Sequence, residues 1–448
     1  MPPNEVTGHE DKNLRDALPG KYRDLTVEII TRIDVVDITG LVLEFSLFEA
    51  IDSPFIYGEL IFADNSGLTT ALPIIGQEEV RIKFTRQNET VDKTFACTDV
   101  KNIEKVLGES AGVVLSLTSQ KHLINSVSMF SKSYTGLASD IIQQIHLNYF
   151  KEEIEIKSPS GSAHNVVFPF TKPYAAIKMI QSKTFGDDGT PYFLFENLFG
   201  EKPILQSMES MLKDVEESKL PILTKAMSTN KDEDGQGSRN MPETLGRLLS
   251  YEIQKNADTL KLLSGGALIN NTIRLNISNN EYSETQFNYE THAKTIADLD
   301  PYALMEINEI KLDSNELKAS ISMELYNPVA FDSEGVTELG SQADVLSATK
   351  VKSRNQRMNN MLRVSAYADS DPINYQVGKC VNLIIAPNLP GLEAEEAIKD
   401  ELFSGPYIIT RLRHYIKDDN YNMSMELVRE GLSKPKSTGK GGGHPSAR

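Results

Sequence analysis

The sequence of 448 residues has no apolar run approaching the roughly 20 residues that a membrane-spanning helix requires, so no such helix is predicted. Residues 1–20 are polar and lack the hydrophobic segment of a secretory signal, which predicts synthesis and assembly in a cytosol. Cysteine is nearly absent. The two present, Cys97 and Cys380, sit far apart in strand-like apolar surroundings, the setting of buried free thiols and not of a disulfide framework. Basic charge is short as well: 46 Lys and Arg stand against 63 Asp and Glu, and the net charge of −17 excludes nucleic-acid binding through a basic face. An acidic wall would instead repel phosphates and let a duplex pass without sticking. Hydrophobic residues at 40% and charged residues at 24% match soluble globular proteins, which excludes global disorder and leaves room for about two to four domains.

Patterns that carry chemistry are few. The histidines His9, His122, His146, His164, His292, His414 and His444 show neither His-Glu-x-x-His nor paired Cys/His spacing, so no zinc site is predicted. Asp187-Asp188-Gly189 and Asp232-Glu233-Asp234-Gly235 lack the spaced bidentate glutamate of a calcium loop and read as solvated turns. No carboxylate pair stands out from the charged surface as a glycosidase would require. Gly441-Gly442-Gly443 follows no strand and opens no helix, which rules out a phosphate cradle.

One motif matches sharply. Gly108-Glu109-Ser110-Ala111-Gly112 has the Gly-x-Ser-x-Gly form of a hydrolase nucleophile elbow, with His146 and His164 downstream as candidate bases. An elbow needs a helix after the serine, whereas Val113-Val114-Leu115-Ser116-Leu117 reads as a strand and no Gly-rich oxyanion loop precedes it. The motif is therefore read as the turn of a long hairpin between residues 94–100 and 113–117. A serine esterase using Ser110 stands as the enzymatic alternative. No catalytic, cofactor-binding or metal-ligating residue is assigned, and the chain is read as non-enzymatic.

Alternation of apolar residues between turn signals predicts strands at residues 25–29, 41–47, 57–62, 80–84, 94–100 and 113–117, the spacing of a small barrel or sandwich. After Ser126 the period changes. Leu137, Ile141, Ile142 and Ile145 fall on one helical stripe. A second helix is predicted over residues 171–180, with Thr171 as N-cap and Pro173 in the first turn, followed by an aromatic strand at 191–196. Further strands are predicted at 249–253, 260–263, 272–277 and 319–325, then a polar helix over about 343–361. Its Lys350, Lys352, Arg354 and Arg357 read as a solvated face able to meet an acidic partner. Strands at 362–364, 381–385, 407–410 and 423–427 close the chain.

A weak repeat is visible. Gly76, Val80/Ile82/Phe84, Phe95-Ala96-Cys97-Thr98-Asp99-Val100 and residues 113–117 recur in order as Gly378, Val381/Leu383/Ile385, Tyr407-Ile408-Ile409-Thr410-Arg411-Leu412 and residues 423–427. The residues alone leave duplication and a second, unrelated meander equally open.

Three stretches carry a resemblance that covers most of residues 25–430. Lys172-Pro173-Tyr174-Ala175-Ala176-Ile177 leads through Phe185-Gly186-Asp187-Asp188-Gly189-Thr190-Pro191 into Tyr192-Phe193-Leu194-Phe195-Glu196-Asn197-Leu198-Phe199-Gly200. The second stretch is Val377-Gly378-Lys379-Cys380-Val381, and the third runs from Phe403-Ser404-Gly405-Pro406-Tyr407-Ile408-Ile409-Thr410 to Arg411-Leu412-Arg413-His414, with residues 421–427 behind it. Together they resemble the central baseplate hub of contractile phage tails and the related head of type VI secretion spike proteins. The first is similar to that family's helix and aromatic strand ending in Glu-Asn-x-x-Gly.

The resemblance implies an α+β, β-rich fold with two barrel-like tube domains, a peripheral α/β domain and a trimeric pseudo-sixfold ring. It implies that the duplication is real and that the ring adapts a sixfold tail tube to a threefold spike. Implied partners are two further copies, a separate tail spike protein, the tail tube protein, baseplate wedge proteins and the tape measure protein, with DNA passing through the lumen unbound. Implied localisation is the virion, in a tail baseplate assembled in the host cytoplasm. A hub-like protein of a non-contractile tail or of a secretion-type injection machine is the neighbouring alternative.

The expected division is an N-terminal arm (1–24), a first barrel (25–125) and an α/β domain (126–215, with a return segment at about 285–345). An exposed loop (216–242), a second barrel (243–284 and 346–432) and a flexible tail (433–448) complete it.

Overall fold

The computed structural model describes residues 20–64, 67, 68, 74–86, 89–103, 111–160, 163–182, 184, 190–213, 215–224, 246–255, 258–276, 280–289, 320–326, 342–360, 362–370, 374–385, 400 and 402–430. Ser110, the turns at Asp187 and Asp232, most of the arm and of the 216–242 loop, and the tail after Glu430 lie outside those residues.

Seven strands come first: β1 (Arg23–Ile30), β2 (Val35–Asp37), β3 (Val42–Ala50), β4 (Tyr57–Asp64), β5 (Glu79–Arg86), β6 (Glu89–Ile103) and β7 (Ala111–Ser119). A short helix, α1 (Gln120–Val127), leads to β8 (Phe130–Leu137), α2 (Ala138–Phe150), β9 (Glu155–Ile156), β10 (Ala163–Thr171), α3 (Pro173–Gln181), β11 (Tyr192–Phe195), β12 (Ile204–Ser207) and α4 (Met208–Leu212). Next come β13 (Ile222–Thr224), β14 (Gly246–Lys255), α5 (Thr259–Ser264), β15 (Ile269–Asn276), β16 (Glu281–Asn288), β17 (Ile321–Tyr326) and α6 (Gln342–Asn360). The last strands are β18 (Leu362–Ser370), β19 (Cys380–Ile384), β20 (Gly405–Lys417) and β21 (Asn420–Arg429).

Period-two patterning explains the strands. In β4, Leu60 and Phe62 face the core while Tyr57 and Glu59 face out, and in β21 Tyr421, Met423, Met425 and Leu427 point inward. Each large apolar side chain buried in this way contributes on the order of 2 kcal/mol.

Thirteen strands form one sheet in the order β19-β13-β14-β18-β21-β20-β3-β4-β7-β6-β5-β1-β2, and β19 also pairs with β20. The extra pairing closes β19-β13-β14-β18-β21-β20 into a six-stranded barrel, which removes its edges. The fold is accordingly α+β and β-rich. One strand joins its halves: residues 405–408 of β20 pair with β19 and residues 411–417 with β3, while β21 runs along the other side. The described chain start closes on the same hairpin. Tyr421 N–H donates to the Gly20 carbonyl at 2.7 Å, and the buried Arg86 donates to the Lys21 carbonyl at 2.6 Å.

The repeat suspected in the sequence extends to a structural detail. Between Cys97 and Asp99 β6 carries a bulge, so that Cys97 faces Leu117, Asp99 faces Ser116 and Thr98 is left over. Between Ile409 and Arg411 β20 does the same, with Ile409 facing Leu427, Arg411 facing Glu426 and Thr410 left over. Each spare threonine donates its hydroxyl across the bulge, Thr98 to the Ser116 carbonyl at 3.2 Å and Thr410 to Glu426, whose carboxylate Oε1 lies at 2.7 Å and carbonyl at 3.3 Å. Cys97 N–H bonds the Glu78 carbonyl as Ile409 N–H bonds that of Lys379. Gly76 and Gly378, which precede the first strand of each set, have φ of +84° and +83°.

A second core lies outside this sheet. β8 and β10 form an antiparallel ribbon, β11, β12 and β9 a small mixed sheet, and α2 and α3 bring Ile141, Ile145 and Ile177 against Phe130 and Phe168. Three sequence expectations are corrected. Thr171 does not cap α3: it ends β10, its hydroxyl donates to the Pro169 carbonyl, and Lys172 occupies the cap position. Residues 260–263 are not a strand but lie in α5, because the Asp258 carboxylate caps Lys261 N–H and only Leu262 of the run is buried. Residues 321–326, expected in a return to the α/β domain, form β17, which pairs in parallel with β15 in a sheet completed by β16.

At Gly378 the left-handed backbone meets a tight contact, since a Cβ there would lie 2.7 Å from Phe195 Cζ. Gly378→Ala is expected to destabilise the protein by about 2 kcal/mol through backbone strain and overpacking. Urea unfolding measures this, and an unchanged midpoint would contradict the close packing.

Candidate functional site

The hydrolase-like motif does not sit on an elbow. Ser110 itself is outside the described residues, but Ala111 and Gly112 open β7, and Gly112 faces Ile103 across the β6–β7 pair. A strand stands where the elbow needs a helix. His146 is buried, its Nδ1 lies 2.8 Å from the Glu152 carbonyl, and burial pushes its pKa below the ordinary value. A ring so enclosed is not a general base in waiting. His164 lies on β10, opposite Gly136. Among the described residues no group of three or more His, Cys, Asp or Glu is arranged to hold a metal ion.

The basic residues of α6 are not all solvated. Arg354 and Arg357 are buried: Arg354 grips the Glu430 carboxylate through Nε at 2.7 Å and Nη2 at 3.1 Å. Arg357 donates to Tyr289 Oη at 2.8 Å, with its guanidinium 4.3 Å from that ring's centroid. Lys352 donates to Ser322 Oγ at 2.6 Å, and burial lowers its pKa. These partners come from strands far along the chain, so the helix reads as polar yet packs inward.

The arrangement that joins most elements is the segment Glu196-Asn197-Leu198-Phe199-Gly200, delivered by the end of β11. Gly200 N–H returns to the Asn197 carbonyl at 3.0 Å and turns the chain. Glu196 reaches Lys93 of β6 at 3.1 Å and Lys121 of α1 at 3.0 Å, and Lys121 also holds Glu152 at 2.7 Å. Burial alone would raise the Glu196 pKa, but the charges of Lys121 and Lys93 outweigh it and hold the carboxyl below its ordinary value. Lys93 also donates to the Gly200 carbonyl at 3.2 Å. These groups line a cleft of about 620 Å3 between β6, α1 and the segment.

The segment's remaining residues reach the shared sheet. Leu198 N–H donates to the Glu49 carboxylate of β3. The same carboxylate lies 3.0 Å from His414 Nε2 of β20, and His414 Nδ1 lies 2.6 Å from Tyr421 Oη of β21. Nε2–H donates to the Glu49 carboxylate, and one proton joins Nδ1 to the Tyr421 hydroxyl. Phe199 packs edge-on against Phe84 at 6.0 Å and against His414 at 5.8 Å. What the arrangement does chemically is fix β3, β20, β21 and the peripheral core to one another. Sequence reading quoted Glu196–Gly200 and His414 for their resemblance alone. It missed Glu49, Lys93 and Lys121, which have no local signal because their partners are remote in sequence.

No family model matches the sequence, and no curated protein does. Solved structures do match. The tail protein from Neisseria meningitidis MC58 is 11% identical, with 92% of this chain and 98% of that one aligned at a TM-score of 0.51. The 43 kDa tail protein of prophage MuSo2 from Shewanella oneidensis is 8% identical, with 92% and 100% aligned at a TM-score of 0.52. The E. coli c3393 protein, a component of the type VI secretion system, aligns over 92% of this chain and 80% of its own at 10% identity and a TM-score of 0.42. The chain has the fold of phage tail proteins.

Glu196→Ala leaves two lysines facing an emptied cleft and is expected to cost about 3 kcal/mol in urea unfolding. Because the folded-state pKa of Glu196 is lowered, its stabilising effect is present above the unfolded value of 4.5 and is lost as pH falls through the folded value. The variant should therefore lose part of the wild-type acid dependence below that pH, and an unchanged acid limb would contradict the assignment.

Burial pushes the thiol pKa up to about 11 for Cys97 and about 12 for Cys380. Neither should react with iodoacetamide in the native protein at pH near 8, and both should react in denaturant. Mass spectrometry counts the adducts.

Proposed function

We propose that the chain is a structural protein of a phage tail, the hub of its baseplate. Three copies would close into a ring that adapts the sixfold tail tube to a threefold spike and surrounds the channel for DNA and tape measure protein. The carrying observation is the duplicated bulge, Thr98 and Thr410 in equivalent places of two sheet modules. Two like modules in each chain make six in a threefold ring, and a ring of three is how such a chain meets sixfold and threefold neighbours at once. The similarity in fold to the Neisseria and prophage MuSo2 tail proteins supports the placement in a tail.

In this reading β1–β7 form one tube module, and the six strands of the closed barrel form the other. The α2–α3 domain lies outside the ring with Glu196–Gly200 as its attachment. The spike, tube and wedge proteins are its partners, and DNA crosses the lumen without specific binding, as the net charge of −17 favours.

Native mass spectrometry with negative-stain electron microscopy tests the proposal. Three chains in a six-lobed ring are expected, and a monomer at micromolar concentration would overturn it.

A further inference from the structure

The two modules share a second irregularity. In β3, Val42 faces Phe62 and Glu44 faces Ile61, so Leu43 is left over. In β14, Leu248 faces Ala368 and Ser250 faces Tyr367, so Leu249 is left over. The strands opposite agree, because Gly58 of β4 faces Leu117 and Val364 of β18 faces Leu427, the residues that stand across from Cys97 and Ile409 at the first bulge. Strand β14 is therefore the counterpart of β3, with Ser46 answering to Glu252 and Leu47 to Ile253. A further bulge after Ile253 has no match in β3 and confines the equivalence to residues 248–253. By the first bulge, β6 is the counterpart of β20, and residues 99–103 answer to 411–415.

Inside the chain, residues 411–417 of β20 pair with β3. The counterparts of those two edges are open. β5 leaves β6 at the Glu79–Ala96 pair, and among the described residues 99–103 of β6 pair with β7 alone. β14 pairs along its length with β18, and on its other edge the described residues give it β13 at Arg247 and nothing beyond. Open edges of this length template pairing with another chain. Their side chains are also complementary. At the seam inside the chain, Arg413 donates to Ser46 Oγ through Nε at 3.0 Å and Nη2 at 2.8 Å. The same two places on the open edges hold Lys101 and Glu252, both exposed and of opposite charge. Lys101 here lies 3.2 Å from Asp99, two places along its own strand, in a solvated pair that costs little to exchange.

We propose that the end of β6 pairs antiparallel with β14 of a second copy of this chain. Asn102 stands opposite Ile253 and Ile103 opposite Glu252, as His414 stands opposite Leu47 and Tyr415 opposite Ser46. Lys101 is then diagonal to Glu252 and pairs with it across the seam. Each chain offers one edge of each kind, a head-to-tail contact that repeats until a ring closes. The pairing rests on the ring of three proposed above and names the contact that builds it.

Cysteine cross-linking of the full chain tests this. Ile103→Cys with Glu252→Cys sets two thiols on facing strands, and mild oxidation should join the chains into a set that ends at three on a non-reducing gel. Either substitution alone, and Lys132→Cys with Glu252→Cys, should give no such set. Glu252→Lys puts like charges across every seam and should raise the concentration at which the ring dissociates at least threefold, by a rough count of one cross-strand pair, and adding Lys101→Glu should restore it. A trimer by native mass spectrometry that does not cross-link through these positions, or is indifferent to the charge reversal, overturns the pairing and leaves the ring. A cross-linked ladder that runs past three chains keeps the pairing and overturns the ring of three. A protein that stays monomeric and gives no cross-linked set overturns both.

Discussion

Backbone pairing along β20 is the constraint on which the architecture depends. A strand edge can serve only one partner at each position, and β20 divides its edge between β19 and β3 while β21 holds the other side. The division falls at the Thr410 bulge, where the extra residue turns the strand and sends its two halves into different modules. Because β21 pairs with both halves of β20, on either side of the bulge, the modules are parts of one sheet and have little freedom to rotate against each other.

Buried charge is concentrated at the seams between parts. Arg354 and Glu430 join α6 to the end of β21, Glu196 joins the peripheral core to Lys93 and Lys121, and Glu49 with His414 joins β3 to β20. Desolvating such groups offsets much of what their attraction contributes, so their net effect on stability is modest. Breaking one is costly, which penalises any docking that leaves a charge without its partner. The apolar cores supply the driving force, and the ionic seams select one arrangement of them.

The sheet was largely legible because its strands alternate over a half-buried surface, and Leu60/Phe62 or Met423/Met425 announce themselves by period two. The helix stripe of Ile141, Ile142 and Ile145 was equally plain. Residues 260–263 misled because a short apolar run fits either period, and the deciding features, the Asp258 cap and the exposure of Leu260, are matters of geometry. Arg354 and Arg357 misled because local sequence cannot show a carboxylate waiting at Glu430. The repeat was visible only as an order of apolar blocks, and the pair of bulges that extends it is a matter of register that no composition records. Of the joining site, the Glu196–Gly200 segment was quoted for its resemblance, and its partners became apparent only once the sheet had brought them to it.

Strand β3 has a consequence for how the protein is made. Its partner β20 lies far downstream, with Ala50 paired to Arg411, so as the polypeptide leaves the ribosome β3 waits with one edge open until β20 has been synthesised. Long-range pairing of this kind is slow, and an open apolar edge invites pairing with a neighbouring nascent chain. Synthesis of this protein therefore favours a cell that shields half-finished sheets, and a shortage of chaperone capacity would limit yield at this step before any later one.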